Sequence, residues 1–267
     1  MFKNLIDVND LNQDEVKTIW SLVENAVHKK INGTIAWSFE GNGIRTRSSF
    51  IKAFQMLGLN YIELPNLLKT YERTEDLAGY LDHFFDAYII RESDHDRLST
   101  FAECSKHPVL NAMSSKSHPC EVITDAYFIN KNIKSIESAN ILLWGPLTNV
   151  FHSWYSLAKV LNFKIYHYCP DEFQINNSNI EYVNQHFKKA DVIITDGWTK
   201  GFNNTDFTLS KELYNNLGEP FLLPTPPFTI GKEISFDPVE SHKFVGYEQK
   251  KLLLDVQSAI LQFLLKN

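Results

Sequence analysis

Short apolar runs alternate with amphipathic segments along the first half of the chain. Runs rich in β-branched and aromatic residues predict four strands, at Thr34–Phe39, Asn60–Leu64, Ala87–Ile90 and Val109–Asn111. Apolar residues at helical spacing predict helices at Asn12–Lys30, Thr46–Leu57, Glu72–Phe85, Asp94–Cys104 and Pro119–Asn130. Asp10 is a candidate cap for the first helix, whose apolar stripe holds Ile19, Leu22 and Val27, and Gly58 is expected to end the second. This alternation is typical of a parallel sheet with crossover helices.

The second half of the chain repeats the alternation. Strands are predicted at Ile141–Trp144, Lys164–His167, Val192–Asp196 and Phe221–Leu223, and helices at Val150–Leu161, Ile180–Lys189 and Leu209–Leu217. The polar segment Lys131–Ala139 is the expected boundary between the halves. A last helix, Tyr247–Lys266, carries Leu252, Val256, Ile260 and Leu264 in one apolar stripe. We therefore expect two α/β domains, residues 1–132 and 133–245, with residues 246–267 returning to the first.

Composition narrows the classes of function. The 267 residues carry a formal net charge of −6, which argues against a nucleic-acid partner because a phosphate backbone requires a basic face. No run approaches the roughly 20 apolar residues of a membrane span, and the N-terminus is too polar for a secretory signal. Three scattered cysteines, and histidines without ligand spacing, predict neither a disulfide framework nor a metal site. We expect a reduced, cytoplasmic protein that uses no metal and no cofactor.

Side chains able to bind an anion follow the first, third and fourth predicted strands. Arg45, Thr46 and Arg47 stand where a helix begins, and free amides and the helix dipole favour an anion there. Arg91 ends the third strand, and His118 lies in the loop after the fourth. Each alone is equally compatible with a solvated loop or a structural histidine. Together at one sheet edge, they are expected to neutralise a small dianion and to polarise a carbonyl group beside it.

The same residues carry a resemblance to a known family. The segments concerned are Phe39-Glu-Gly-Asn-Gly-Ile-Arg-Thr-Arg-Ser-Ser-Phe50, Asp86-Ala-Tyr-Ile-Ile-Arg91, His118-Pro-Cys-Glu-Val-Ile-Thr-Asp125, Gly145-Pro-Leu-Thr-Asn-Val-Phe-His-Ser153, Ala190-Asp-Val-Ile-Ile-Thr-Asp-Gly-Trp198 and Leu222-Leu-Pro224. In this order, over nearly the whole chain, they resemble the motifs of the aspartate/ornithine carbamoyltransferase family. Asn149, where the aspartate branch has an arginine, places the chain nearer the ornithine branch.

The resemblance implies a fold and a reaction. Family members have two similar-sized α/β domains, each with a parallel sheet flanked by helices, and are usually homotrimers with active sites at subunit boundaries. The first domain binds carbamoyl phosphate, and the second binds the amine acceptor. By position, the carbamoyl-phosphate residues are Gly43, Ile44, Arg45, Thr46, Arg47, Arg91, His118 and Glu121, and the catalytic ones among them are Thr46, Arg91 and His118. The acceptor residues are Asn149, Asp196, Lys200 and Leu222.

Some departures from the family pattern fall in the donor half. Where the family has Ser-Thr before Arg-Thr-Arg, this chain has Gly43 and Ile44. Two hydroxyl donors to phosphate are lost, which at about 0.5–1.5 kcal/mol for each hydrogen bond predicts roughly ten- to hundredfold weaker binding. Ile44 would weaken binding further if it filled the pocket. Glu121 replaces a family glutamine, and a carboxylate beside a dianion is unfavourable unless it is protonated or paired with Arg45 or Arg91.

Other departures fall in the acceptor half. Lys200-Gly-Phe replaces Ser-Met-Gly, Leu222 replaces the cysteine near the ornithine side chain, and the arginine expected shortly after that turn is missing. The short segment from Leu64 to Glu72 corresponds to a loop that reaches a neighbouring subunit's site, with Lys69 as its candidate contact. These changes predict an acceptor other than ornithine.

The leading hypothesis is a divergent carbamoyltransferase that moves a carbamoyl group from carbamoyl phosphate to an amine of an amino-acid-like acceptor. One alternative is a non-catalytic relative that binds an anion or a partner subunit and regulates it. A second is a transferase that uses a different acyl-phosphate or phosphorylated donor. Retention of Arg45, Thr46, Arg91 and His118 favours the enzyme over the non-catalytic relative.

Overall fold

The computed structural model describes residues 3–25 and 29–266. They group into two compact units, one formed by the chain up to Thr124 together with the chain from Lys251, and one formed by Asp125–Lys250. The polar segment Lys131–Ala139 belongs wholly to the second unit. Val27, which the sequence pattern places in the stripe of the first helix, lies outside the described residues.

The first unit contains a four-stranded parallel sheet. Its strands are β1 (Thr34–Phe39), β2 (Asn60–Glu63), β3 (Ala87–Arg91) and β4 (Val109–Met113), in the order β2-β1-β3-β4. The helices are α1 (Gln13–Glu24), α2 (Ile44–Leu57), α3 (Thr74–Leu81), α4 (His95–Cys104) and the start of α5 (Pro119–Asn132). Because every pairing is parallel, each strand presents its carboxyl end to the same edge of the sheet.

The start of α1 differs from the sequence prediction. Asn12 caps the helix by accepting a hydrogen bond from the Glu15 amide at 3.0 Å. The predicted cap, Asp10, instead accepts from the amides of Ile6 and Asp7 at 2.6 and 2.9 Å, in the turn before the helix. The α1 helix also ends at residue 24 rather than at residue 30.

An aromatic core packs α2 against β1. The ring of Trp37 on β1 lies 5.5 Å from that of Phe50 and 5.4 Å from that of Phe54, both on α2, and all three side chains are fully buried. This packing fixes the helix whose first turn carries the Arg45–Arg47 segment. Gly58, with a left-handed φ of 76°, ends α2 as predicted.

The second unit contains a five-stranded parallel sheet. Its strands are β5 (Ile141–Trp144), β6 (Ile165–Tyr168), β7 (Ile180–Tyr182), β8 (Val192–Thr195) and β9 (Phe221–Pro224), in the order β7-β6-β5-β8-β9. The helices are α6 (Asn149–Leu161), α7 (Lys211–Asn216) and the first residues of α8 (Gly246–Leu265). The two units together confirm the expected α/β class with a parallel sheet in each half.

The helix predicted at Ile180–Lys189 is wrong. Residues Ile180–Tyr182 form an edge strand that pairs with β6 in parallel. The exposed Glu181 between two half-buried side chains has the two-residue period of a strand. Beyond the strand, Asn184 Oδ1 accepts from the His186 amide at 2.9 Å, and such a local turn competes with helix formation.

Candidate active site

Gly43 joins β1 to α2 and determines where the helix begins. Its φ and ψ of 39° are left-handed, and it caps α2 without a side-chain hydrogen bond. The first amides of the helix therefore lie at its positive end without a capping side chain from residue 43. A Cβ atom on this residue would lie 2.9 Å from Cε1 of Phe39 and 3.3 Å from Cδ of Arg91. Glycine is favoured here because its φ is left-handed and a Cβ atom would crowd the side chains of Phe39 and Arg91.

Arg45 and Arg91 make this edge electropositive. Arg45 is exposed in the first turn of α2, and Arg91 is half-buried at the end of β3. Burial lowers the pKa of Arg91 and the charge of Arg45 lowers it further, while Glu40 opposes both effects. Among the described residues, neither guanidinium forms an ion pair. Two like charges held this close favour a small dianion as a shared ligand.

Arg47 is already engaged by its own chain. Its Nη1 forms an ion pair with Oε1 of Glu63 at the end of β2. Its guanidinium carbon lies 5.3 Å from the ring centroid of Phe39, and that of Arg91 lies 5.9 Å from the same centroid. Phe39 therefore supports both arginines. Since a ligand must compete with Glu63 for Arg47, Arg45 and Arg91 are the stronger anion contacts.

Thr46 and Ile44 differ sharply in exposure. Thr46 is 6% exposed and stands in the first turn of α2. Ile44 is 70% exposed, so its side chain extends into solvent and does not fill a pocket within the first unit. The weakening that was expected from a filled pocket therefore does not apply, and the loss of a hydroxyl group at residue 44 remains.

Lys69 belongs to a carboxylate cluster beside Arg91. Its Nζ lies 2.5 Å from Oε1 of the buried Glu92 and 3.5 Å from Oε1 of Glu40, and the hydrogen bond to Glu92 raises the pKa of Lys69. Glu40 also accepts from the Ser93 amide at 2.7 Å. The cluster ties the loop after β1 to the loop after β3. Because Lys69 is neutralised within its own chain, its predicted contact with a neighbouring subunit gains no support.

A hydrogen-bond network holds the loop that precedes His118. Asn111 Nδ2 donates to Ser114 Oγ at 3.1 Å, and the Ser114 amide donates to the Ser117 carbonyl at 2.8 Å. His118 follows directly and is 7% exposed. Its carbonyl accepts from the Val122 amide at 3.3 Å in the first turn of α5. The network fixes the backbone from which the imidazole projects.

Glu121 and Cys120 lie in the buried first turn of α5. Glu121 is 4% exposed and makes contacts within the protein. Burial, together with the charge of Glu121, raises the pKa of the Cys120 thiol. Such a thiol is not a nucleophile at neutral pH. The contact of Glu121 with carbamoyl phosphate stays a prediction.

Strand register brings these loops together. Phe39 at the end of β1 pairs with Arg91, and Arg91 pairs with Met113 at the end of β4. Neighbouring strands lie about 4.8 Å apart, so the ends of the three strands fall within about 10 Å. The segments that carry Arg45, Arg91 and His118 therefore share one edge of the sheet.

Asn149 and Asp196 follow neighbouring strands of the second sheet. The Thr148 hydroxyl caps α6 by accepting from the Phe151 amide at 3.3 Å, which places Asn149 in the first turn. Asp196 directly follows β8, and its Oδ1 accepts from the Gly197 amide at 2.9 Å. Since β5 pairs with β8, these two half-buried side chains leave adjacent strand ends.

The other two predicted acceptor residues have different surroundings. Lys200 is exposed in the loop after β8. Leu222 is fully buried in the core of the second unit beside Leu142 and Ile193. Its amide donates to the Lys243 carbonyl at 2.9 Å. The core covers the Leu222 side chain, and its contact with an acceptor stays a prediction.

A row of aromatic rings at the carboxyl edge of the second sheet was missed in the sequence. The ring of Trp144 lies 4.6 Å from that of Tyr168, which stacks on Phe207 at 4.7 Å. Trp198 meets Phe202 edge-on at 5.1 Å. The signal was present, because Trp144 and Tyr168 stand at strand ends and Trp198 closely follows β8. Aromatic rings therefore pack along the carboxyl edge of the second sheet, with Trp144 itself fully buried.

The described residues, 3–25 and 29–266, also bear on metal binding and on membrane insertion. No group of three or more His, Cys, Asp and Glu side chains there is arranged to hold a metal ion. No helix in those ranges is both long enough and apolar enough to cross a membrane.

A parallel α/β unit with arginines, a threonine and a histidine at its strand ends defines a class of domain that binds phosphate or acyl phosphate. Residues 3–131 match the family described as aspartate/ornithine carbamoyltransferase, carbamoyl-P binding domain. By this match, the segment 3–131 belongs to the aspartate/ornithine carbamoyltransferase family.

Relatives and solved structures extend the match along the chain. The ornithine carbamoyltransferase of Methylobacillus flagellatus is 25% identical over 297 aligned positions, which cover 98% of this chain and 97% of the relative. That of Ruthia magnifica is 26% identical and covers 99% of this chain and 100% of the relative. The crystal structure of ornithine carbamoyltransferase from Burkholderia thailandensis superposes on this chain with a TM-score of 0.89 at 22% identity, and 98% of each chain is covered. The ornithine carbamoyltransferase of Pyrococcus furiosus has a TM-score of 0.89 at 23% identity, and the match covers 99% of this chain and 97% of that one.

Proposed function

We propose that the protein transfers the carbamoyl group of carbamoyl phosphate to the amine of an amino acid. The observation that carries this proposal is the pair Arg45 and Arg91. Both side chains stand beside the uncapped start of α2, and neither forms an ion pair with the described residues. A small dianion satisfies both guanidinium groups and the helix amides at once. The name of the family that residues 3–131 match supports carbamoyl phosphate as that dianion.

The proposed reaction uses the groups at this edge in turn. The phosphate binds Arg45, Arg47 and the first amides of α2, while Thr46, Arg91 and His118 stabilise the carbonyl oxygen. An unprotonated amine attacks the carbamoyl carbon, and a C–N bond forms as negative charge grows on that oxygen. Each donor to such an oxyanion contributes about 2.7–4 kcal/mol in comparable sites. The C–O bond to phosphate then breaks, and the leaving phosphate takes the proton of the amine.

The acceptor is proposed to bind the second unit through Asn149 and Asp196. The relatives are named for ornithine, which makes ornithine the first acceptor to test. The leucine at 222 is buried where the family has a cysteine, Lys200 is exposed, and rings line the edge. These features support an amine other than ornithine.

The test is phosphate release from carbamoyl phosphate with a panel of amines that includes ornithine, other diamino acids and aspartate. Each carbamoylated product is identified by mass spectrometry. We expect a product with at least one amine, at a higher kcat/KM than with ornithine. Highest activity with ornithine would overturn the acceptor proposal and leave the reaction standing. Tight binding of carbamoyl phosphate by calorimetry without any product would instead support the non-catalytic alternative.

Assembly follows the family expectation of a homotrimer. We propose that three chains associate, which sedimentation equilibrium would show as a mass about three times the 30.9 kDa of one chain. A monomeric mass at micromolar concentration would contradict it.

A further inference from the structure

Three consecutive residues at the end of β6 hold the loop that follows β5. His167 Nε2 donates to the Gly145 carbonyl at 2.8 Å. The Gly145 amide donates to the Tyr168 carbonyl at 3.0 Å. The Leu147 amide bonds to the Cys169 thiol. We call residues 167–169 the β6 clamp, since they fix both polar groups of Gly145 and the amide two residues later.

The imidazole of His167 has one possible arrangement of protons in this network. It is fully buried, and burial lowers its pKa to about 3, so the ring is neutral. Donation to a carbonyl requires the proton on Nε2, which leaves Nδ1 as an acceptor. The Tyr155 hydroxyl lies 2.6 Å from Nδ1 and therefore donates to it. A single tautomer thus serves both partners.

Tyr155 connects the clamp to the helix that carries Asn149. It stands on α6, and its hydroxyl also lies 3.3 Å from that of Tyr182 on β7. Tyr182 in turn accepts from the Ile175 amide at 2.8 Å. On the same helix, the ring of Phe151 meets the His167 imidazole edge-on at 5.2 Å. The start of α6 therefore packs against His167 through Phe151, and the middle of the helix is hydrogen-bonded to it through Tyr155.

Gly145 is the residue of this loop whose carbonyl and amide are both hydrogen-bonded to the β6 clamp. Its φ of 119° favours glycine, and a Cβ atom there would lie 3.5 Å from Nε1 of Trp198. Thr148, three residues further on, caps α6, and Asn149 follows. Four residues separate Gly145 from Asn149, and the Leu147 amide is held between them.

We propose that His167, oriented by Tyr155, is a positioning residue that fixes the Gly145 carbonyl and through it the acceptor-facing start of α6. The inference rests on the proposed function in one respect, the assignment of Asn149 to the acceptor. The clamp itself rests on hydrogen bonds within the second unit, so it can be tested without any substrate.

The test compares His167→Gln with His167→Asn. Glutamine can place its amide nitrogen near the position of Nε2 and keep the donation to Gly145, whereas asparagine reaches only the position of Nδ1. Hydrogen exchange of the amides at 145–150, measured by mass spectrometry, should be about tenfold faster in His167→Asn and close to that of the parent in His167→Gln. Tyr214→Phe is the control, because it removes another buried hydrogen bond of the same unit, from Tyr214 to the Pro220 carbonyl at 2.8 Å.

Kinetics supply a second readout with the amine that the panel identifies. We expect His167→Asn to raise the KM for the amine about tenfold, to leave the KM for carbamoyl phosphate unchanged, and to be largely rescued in His167→Gln. Equal exchange in the two variants, or an equal rise in Tyr214→Phe, would overturn the clamp. Faster exchange without any change in the KM for the amine would show that the clamp exists but that the acceptor assignment of Asn149 is wrong.

Discussion

The two units use their strand ends in different ways. In the first unit the edge is built from charges, some neutralised within the chain, as in Arg47 with Glu63, and some not, as in Arg45 and Arg91. In the second unit the edge combines aromatic rings and a neutral buried network around His167 with the carboxylate of Asp196. The first arrangement suits a small dianion, which is bound through its charge. The second suits a ligand that is bound through the fit of its side chain.

This difference indicates which of the two units we expect to bind the same ligand as the rest of the family. A charged ligand needs few contacts, so we expect the first unit to bind a phosphate without the two hydroxyl groups. An amino acid is distinguished by the fit of its side chain, so replacement of a residue that lines its site can change which amine is accepted. We therefore expect the donor to be the family's and the acceptor to be specific to this chain.

The largest expected effect tests the charges of the first unit. Arg91→Ala and Arg45→Ala should each weaken carbamoyl phosphate binding by about 10- to 100-fold, because each removes a charge-assisted contact of about 1.5–3 kcal/mol. Titration calorimetry measures this. Lys52→Ala, which removes an exposed charge from the same helix, is the control. Affinities equal to that of the parent would place the anion elsewhere.

The next effect tests the neutral network of the second unit. The pKa of His167 is lower in the folded protein, about 3, than its ordinary value of 6.5. The unfolded chain therefore binds a proton that the native state excludes, and stability is lost as pH falls below about 6.5. At pH 5 the loss is about 2 kcal/mol relative to pH 7.5. Urea unfolding should show this loss in the parent and not in His167→Gln. Parallel pH dependence of the two proteins would contradict it.

A smaller effect tests the close packing at Gly43. Gly43→Ser restores the residue type of the family loop. It should nevertheless lower stability by about 1–2 kcal/mol, because a side chain is strained at this φ and its Cβ meets Phe39. The melting temperature should fall by about 2–8 °C. An unchanged melting temperature with tighter binding of carbamoyl phosphate would show that the loop relaxes to accept the serine.

The smallest expected effect concerns the neighbouring residue of the same loop, where a lost hydroxyl group can be restored. Ile44 is exposed, so Ile44→Thr adds a hydroxyl group without displacing any packed atom. We expect carbamoyl phosphate to bind about 2- to 10-fold more tightly, as one neutral hydrogen bond contributes about 0.5–1.5 kcal/mol. Ile44→Val, which shortens the side chain without adding a hydroxyl, should bind as the parent does. Equal affinities of the Thr and Val variants would refute the hydrogen bond.

Local pattern was sufficient for the buried parts of the fold. Apolar runs such as Ile141–Trp144 are confirmed as strands, because full burial leaves a strong hydrophobic signal. The edge strand Ile180–Tyr182 was missed, since three residues that pair on one side carry little periodicity. The cap of α1 was misplaced because Asn12 and Asp10 are both good caps, and a short 3-10 turn before the helix engages Asp10.

The site shows the same limit. Loop positions at strand ends predict which residues share an edge, because parallel topology dictates it. They do not predict pairing, and so the engagement of Lys69 by Glu92 and the burial of Leu222 were not foreseen. The bond from His167 to Gly145 joins residues that are 22 positions apart, and no short-range pattern contains it.

The closeness of Arg45 and Arg91 affects more than recognition. Folding must hold two positive side chains near each other, so any small dianion that settles there becomes part of the folding equilibrium. At a concentration one hundred times its dissociation constant, such an ion adds about 2.7 kcal/mol to the free energy of unfolding. We therefore expect a higher melting temperature in phosphate buffer than in chloride at the same ionic strength, since inorganic phosphate is itself a small dianion.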